Sequence, residues 1–156
     1  MYIIFIFIIL LFLSAFFSSS ETAYFNLKKH EYTDQQVKKL LSSPRKLLTF
    51  LLIGNTLVNI AIGTIAANYT INVLSIKYNN ISQENLLLIE VVVITVIVLI
   101  FGEVIPKSYA INKSKKVASM LSSPIKIIMR LLSPISFIFY KITLLILKIV
   151  PFKKEK

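Results

Sequence analysis

The chain contains no cysteine, one histidine, three glycines and seven acids in 156 residues. Without cysteine there is no disulfide, no zinc–thiolate centre and no thiol nucleophile. The single histidine, His30, lies in a basic loop, so no serine of an apolar stretch has an imidazole partner. An intramembrane protease, which needs a nucleophile with its base or a His-bound metal, is therefore a poor fit, and no enzyme is expected. Charge is also scarce, at 16% of residues, where soluble proteins average about 25%. What charge there is leans one way, with 18 Lys and Arg giving a net +11.

Apolar residues fill that space: 56% of the chain is hydrophobic and the mean hydropathy is +0.76. A disordered tail would be poor in such residues. Nucleic-acid-binding domains are basic but are not built from charge-free apolar runs. Apolar spans with cationic cytoplasmic flanks satisfy both facts, which makes the expected class an all-α integral membrane protein.

No charge occurs from Met1 to Ser20. A cleaved signal peptide would open on a positive segment and end at small residues. Here no Lys or Arg precedes Lys28, and the bulky Phe16–Phe17 pair stands before the serines, so a retained span over about 2–22 is expected. Further apolar runs predict spans over about 47–74 and 86–105, each long enough at ~1.5 Å per residue for a ~30 Å hydrocarbon core. Six Lys/Arg follow the first span, Lys77 alone follows the second and eleven follow the third. The positive-inside rule then puts the N-terminus outside and the C-terminus in the cytoplasm of a multi-pass protein of the cell membrane.

The last apolar region, about 117–150, differs. At ~100° per residue, Lys126, Arg130, Lys141 and Lys148 all fall within about 60° of one another. A cationic stripe on an otherwise apolar helix suits the membrane interface, bent at Pro134 into two linked helices and facing anionic lipid headgroups. A fourth span with snorkelling lysines is the alternative. The tail 151–156 is basic. Two similar segments, Leu41-Ser42-Ser43-Pro44 and Leu121-Ser122-Ser123-Pro124, predict helix starts with Ser43 and Ser123 as N-caps and proline in the first turn.

Polar groups in hydrocarbon serve function or helix contact, and each span has a cluster. Ser14 and Ser18 are one turn apart on one face, with Glu21 a turn beyond. Asn55 and Asn59 share a stripe with Gly63 and Ala66. Gly102 and Glu103 precede Pro106, which donates no hydrogen bond to the Gly102 carbonyl four residues back. An unwound carbonyl beside a carboxylate is a way to hold a cation at membrane depth. The plainer alternative is a helix ending at Pro106 with Glu103 paired to Lys107. All three clusters lie toward the cytoplasmic ends of their spans, so they can meet. Together they offer only oxygen donors, which suits hard cations. Chemistry alone does not separate Mg²⁺ from Na⁺, Mn²⁺ or Ca²⁺.

Ser14-Ala15-Phe16-Phe17-Ser18-Ser19-Ser20-Glu21-Thr22-Ala23, Gly54-Asn55-Thr56-Leu57-Val58-Asn59 and Gly102-Glu103-Val104-Ile105-Pro106-Lys107 resemble, in order, the three signatures of the CorC/cyclin-M (CNNM) magnesium transporter family. The resemblance implies a homodimer of subunits with three transmembrane helices and a juxtamembrane belt helix. It implies Na⁺-coupled Mg²⁺ export by alternating access. Carried over by motif, the metal site comprises Ser14, Ser18, Asn59, the Gly102 carbonyl and Glu103, with Asn55 and Glu21 close by and Pro106 and Lys107 supporting. Asn55 and Asn59 compete for one ligand position. Ser19 stands where the family usually has glycine. Family members continue into a nucleotide-binding tandem CBS module, and the expectation here is the transmembrane domain without it. A membrane scaffold or sensor, with the same polar groups used only to pack helices, is the competing function.

Overall fold

The protein is described by a computed structural model covering residues 2–27, 34–78, 80–131 and 141. Among the described residues all regular structure is helical. The N-terminal Ile/Leu/Phe run, free of proline and glycine, forms α1 (Tyr2–Asn26). Asp34 then caps α2 (Gln35–Leu41), its Oδ1 accepting the Gln36 N–H at 2.8 Å. Helix α3 (Pro44–Tyr69) starts with proline in its first turn and runs into a π-helical segment, π1 (Thr70–Leu74), and a short α4 (Ser75–Lys77). Ser82 caps α5 (Gln83–Ile97), which continues through a second π-helical segment, π2 (Val98–Val104), into α6 (Ile105–Asn112). Helix α7 spans Ser114–Leu131.

Three uninterrupted helical stretches are long and apolar enough to cross a membrane: Tyr2–Asn26, Pro44–Lys77 and Gln83–Asn112. Each is longer than the apolar run that foretold it, because polar residues at the ends continue the helix into the interface. The core lies where α1 meets α3. Leu47, Leu51, Gly54, Val58, Ile62 and Ala66 are buried at helical spacing along one side of α3. Phe17 lies over Gly54, where a Cβ would strike its ring, and meets Phe50 edge-on at 5.9 Å. Helix α5 contributes little to this core. Leu88, Val91, Val92 and Val96 face outward, toward what must be lipid or another chain in a membrane-spanning helix.

Helix α7 packs on α1 and α2. The Tyr24 hydroxyl donates to the Ala118 carbonyl at 2.9 Å. Ser119 donates to Asp34 Oδ2 at 2.7 Å, and Ser123 to Gln36 Oε1 at 3.0 Å. The Ser119 hydroxyl and the Gln36 amide hold the Asp34 carboxyl below the usual carboxylate range. Lys126 and Arg130 are exposed while Val117, Ala118 and Ile125 are buried, so α7 is two-sided over residues 117–130.

Two local expectations fail. Ser123 and Pro124 do not start a helix: Pro124 sits inside α7, which begins at Ser114. Proline costs the interior one hydrogen bond, but contacts on both sides, Tyr24 to Ala118 and Gln36 to Ser123, hold the helix continuous. Nor does the third span unwind or end at Pro106. It widens into π2 and continues to Asn112. The Ser43-Pro44 copy does begin a helix, although the Ser43 hydroxyl makes no capping bond. His30, Lys28, Lys29, Pro134, Lys148, the later half of the belt and the tail 151–156 lie outside the described residues.

Candidate functional site

Ser14 is buried on the side of α1 that faces both α3 and π2. Its Oγ donates to Asn59 Oδ1 at 2.8 Å, with Asn55 Oδ1 at 3.4 Å. The other end of the Asn59 carboxamide, Nδ2, donates to Glu103 Oε1 at 3.2 Å. One continuous chain of bonds thus runs from the first span through the second to the third. Asn55 and Asn59 are one turn apart, so both carboxamide oxygens converge on the same serine.

Gly102 makes that convergence possible. It is buried in π2 directly against Ser14, where an added Cβ would stand 2.7 Å from Oγ. Any larger residue would hold α1 away from the third span. The π segment has a second consequence. Its extra residue per turn re-aims the side chains beyond it relative to those of α5, and Glu103 lies inside it.

Ser18, one turn after Ser14, is fully buried. Its Oγ makes no hydrogen bond, although serine in a helix commonly bonds back to a preceding carbonyl. Ser20 does so, donating to the Phe16 carbonyl. Ser18 therefore offers a free oxygen beside the Ser14 set. Glu21 is half-buried and does not join the bonded set. Glu103 takes its bond from Asn59 rather than from Lys107. Pro106 sits in the first turn of α6, immediately past π2.

An open cleft of about 280 Å³ runs beside the set along the α3–α5 seam, with Asn59, Gly63, Thr95, Val98 and Glu103 among its walls. Among the described residues no three of His, Cys, Asp and Glu gather at one place. The donors that do gather are hydroxyl, carboxamide and carboxylate oxygens, the ligand class of hard cations rather than of zinc or copper. Polar residue types within apolar runs, and the motifs they form, point to these residues in the sequence. They do not show that Asn59, rather than Asn55, links the first and third spans, because that depends on how far α3 is rotated.

The Cyclin M transmembrane N-terminal domain family matches residues 5–156 of the chain. The UPF0053 inner membrane protein YfjD of Escherichia coli (strain K12) is 32% identical over 92% of this chain and 34% of its own length. A UPF0053 protein of Haemophilus influenzae is 30% identical over 96% of this chain and 36% of its own. The chain therefore spans about a third of the length of these curated relatives. The bonded serine–asparagine–glutamate set joining three membrane-spanning helices, and a match over nearly the whole chain, make it a member of the CNNM (DUF21/UPF0053) transmembrane domain family.

Proposed function

We propose that this domain transports Mg²⁺ across the membrane, exporting it in exchange for Na⁺ by alternating access, as a homodimer. The convergence of Ser14, Asn55, Asn59 and Glu103 from three helices at one depth carries this reading. Mg²⁺ asks for near-octahedral oxygen coordination and keeps some of its waters. Neutral carboxamide and hydroxyl oxygens with one carboxylate give a shell that binds such an ion without trapping it. The unpaired Ser18 hydroxyl supports an ion site over a closed packing seam. Entry of Mg²⁺ exchanges the Asn59 N–H on Glu103 Oε1, and the Ser14 hydroxyl on Asn59 Oδ1, for the ion, which links occupancy to the packing of three helices. The outward apolar face of α5 is the surface for a second copy and for lipid.

The bonds among Ser14, Asn59 and Glu103 also favour a second reading, in which they only fasten helices. Reconstitution of the chain in liposomes separates the two. Under the transport reading, Glu103→Gln and Ser18→Ala each cut Mg²⁺ flux about tenfold or more, on the scale of lost metal partners, with melting temperature and oligomeric state unchanged. Under the packing reading Ser18→Ala, which removes no bond, changes nothing. Glu103→Gln then lowers stability without any ion-specific effect.

A further inference from the structure

The apolar part of the third span holds a second acid, Glu90, well before Glu103. Across from it, Thr70 begins π1 and is 1% exposed. Two earlier threonines of α3 show the ordinary fate of this side chain. Thr56 and Thr64 donate back to the carbonyls of Leu52 and Ile60, each at 2.9 Å, satisfying the hydroxyl within the helix. Thr70 departs from this pattern. Its Oγ1 is buried and makes no hydrogen bond, and the same holds for Glu90 Oε2.

Both residues line one cleft of about 390 Å³, between Phe7 of α1, Ala66 and Tyr69 of α3, and Ile94 of α5. Ile94 also lines the cleft at Glu103, so the two hollows follow one another along a single seam. Asn59 to Thr70 is ~17 Å along its helix and Glu90 to Glu103 ~20 Å, at ~1.5 Å per residue. The second pair therefore sits toward the opposite end of the bundle. One residue of each polar set lies in a π-helical segment, Thr70 in π1 and Glu103 in π2. Such segments recur at functional sites.

Two buried unpaired oxygens in an apolar cleft are costly unless something joins them. They do not hydrogen-bond to each other, and a cation can join oxygens that no hydrogen bond joins. One carboxylate and one neutral hydroxyl balance one positive charge rather than two, which suits a monovalent ion with water completing its shell. We propose that Glu90 and Thr70 form a second cation site, for a monovalent ion such as Na⁺, at the end of the α3–α5 seam away from Glu103. Its role as the seat of the coupling ion rests on the transport reading; its affinity for Na⁺ does not.

The test is equilibrium binding of radiolabelled Na⁺ to the chain in lipid nanodiscs, at neutral pH and without Mg²⁺. Glu90→Gln and Thr70→Val are expected to lose affinity about tenfold or more, the scale on which even outer partners matter to a metal site. Thr70→Ser, which keeps the hydroxyl, is expected to bind as the parent does. Circular dichroism melts identify variants that remain folded, and either Glu90→Gln or Thr70→Val alone suffices. Parent-like binding by a folded Glu90→Gln or Thr70→Val overturns the proposal. So does Na⁺ binding that is lost in Glu103→Gln instead, or proton uptake in place of Na⁺ by the parent. Intact Na⁺ binding with no Mg²⁺ flux would overturn the transport reading and leave this site standing.

Discussion

At Gly102 one methyl group decides whether the first and third spans can touch. The Cβ of an alanine there would stand 2.7 Å from Ser14 Oγ and 3.3 Å from Ser14 Cβ. Overpacking of this kind costs ~1–3 kcal/mol in a well-packed core. Gly102→Ala is expected to lower stability by that amount and to weaken Mg²⁺ flux, because moving Ser14 breaks its bond to Asn59. Gly63 has open space where its Cβ would go, so Gly63→Ala should melt with the parent. Thermal melts of the two variants, run beside flux assays, check this, and a parent-like Gly102→Ala would exclude the close approach. At this scale the candidate site was largely legible from residue types, since serine, asparagine and glutamate stand out in apolar runs. Their pairing was not. Asn55 and Asn59 are equivalent by spacing, and only the rotation of α3 gives Asn59 both partners. Thr70 was invisible for a related reason. A threonine in a span is ordinary until its hydroxyl is seen to lack the carbonyl bond that Thr56 and Thr64 make.

The helices themselves were legible as apolar runs, but their interruptions were not. The two Ser-Ser-Pro segments have the same local chemistry and opposite fates, Pro44 opening α3 and Pro124 lying within α7. Tertiary contacts with Tyr24 and Gln36 decide the second case, and no local propensity encodes them. Pro106 posed the same difficulty. A missing N–H predicts a defect in the third span, and the defect takes the form of a wide turn over Val98–Val104 instead of an unwound end. Restoring the donor tests what that turn is for. Alanine is favoured over proline inside a helix by ~3 kcal/mol. Pro106→Ala should therefore draw the span toward regular α-helix, slow amide exchange around residues 98–106 and leave stability equal or higher. It should also turn Glu103 away from Asn59 and reduce Mg²⁺ flux. Stability maintained with transport lost is the expected signature, since function often depends on a locally unfavourable geometry. Full flux with slowed exchange would mean that π2 has no part in holding the site.

For the whole molecule the deciding quantity is where the positive charge lies. Counted by the charge-poor apolar runs, about 2–22, 47–74 and 86–105, seventeen of the eighteen Lys and Arg follow the first or third run and one, Lys77, follows the second. With three helices long and apolar enough to cross, that distribution predicts that α2 and α7 share one side of the membrane and that the turn before α5 lies on the other. The positive-inside rule predicts that the cation-rich side is cytoplasmic. That orientation predicts helix α7 at the inner surface, with its exposed Lys126 and Arg130 toward anionic headgroups, and Ser14, Asn59 and Glu103 nearer that face than Thr70 and Glu90. The absence of cysteine makes this orientation directly measurable, because one introduced thiol is the only thiol present. Asn80 and Lys115 are both exposed and lie outside the three crossing helices. In intact cells a membrane-impermeant maleimide is expected to label Asn80→Cys, and to label Lys115→Cys only after the membrane is opened. The reverse pattern would invert the domain and with it the direction assigned to transport. Labelling of both positions from the same side would mean that the third helical stretch does not cross.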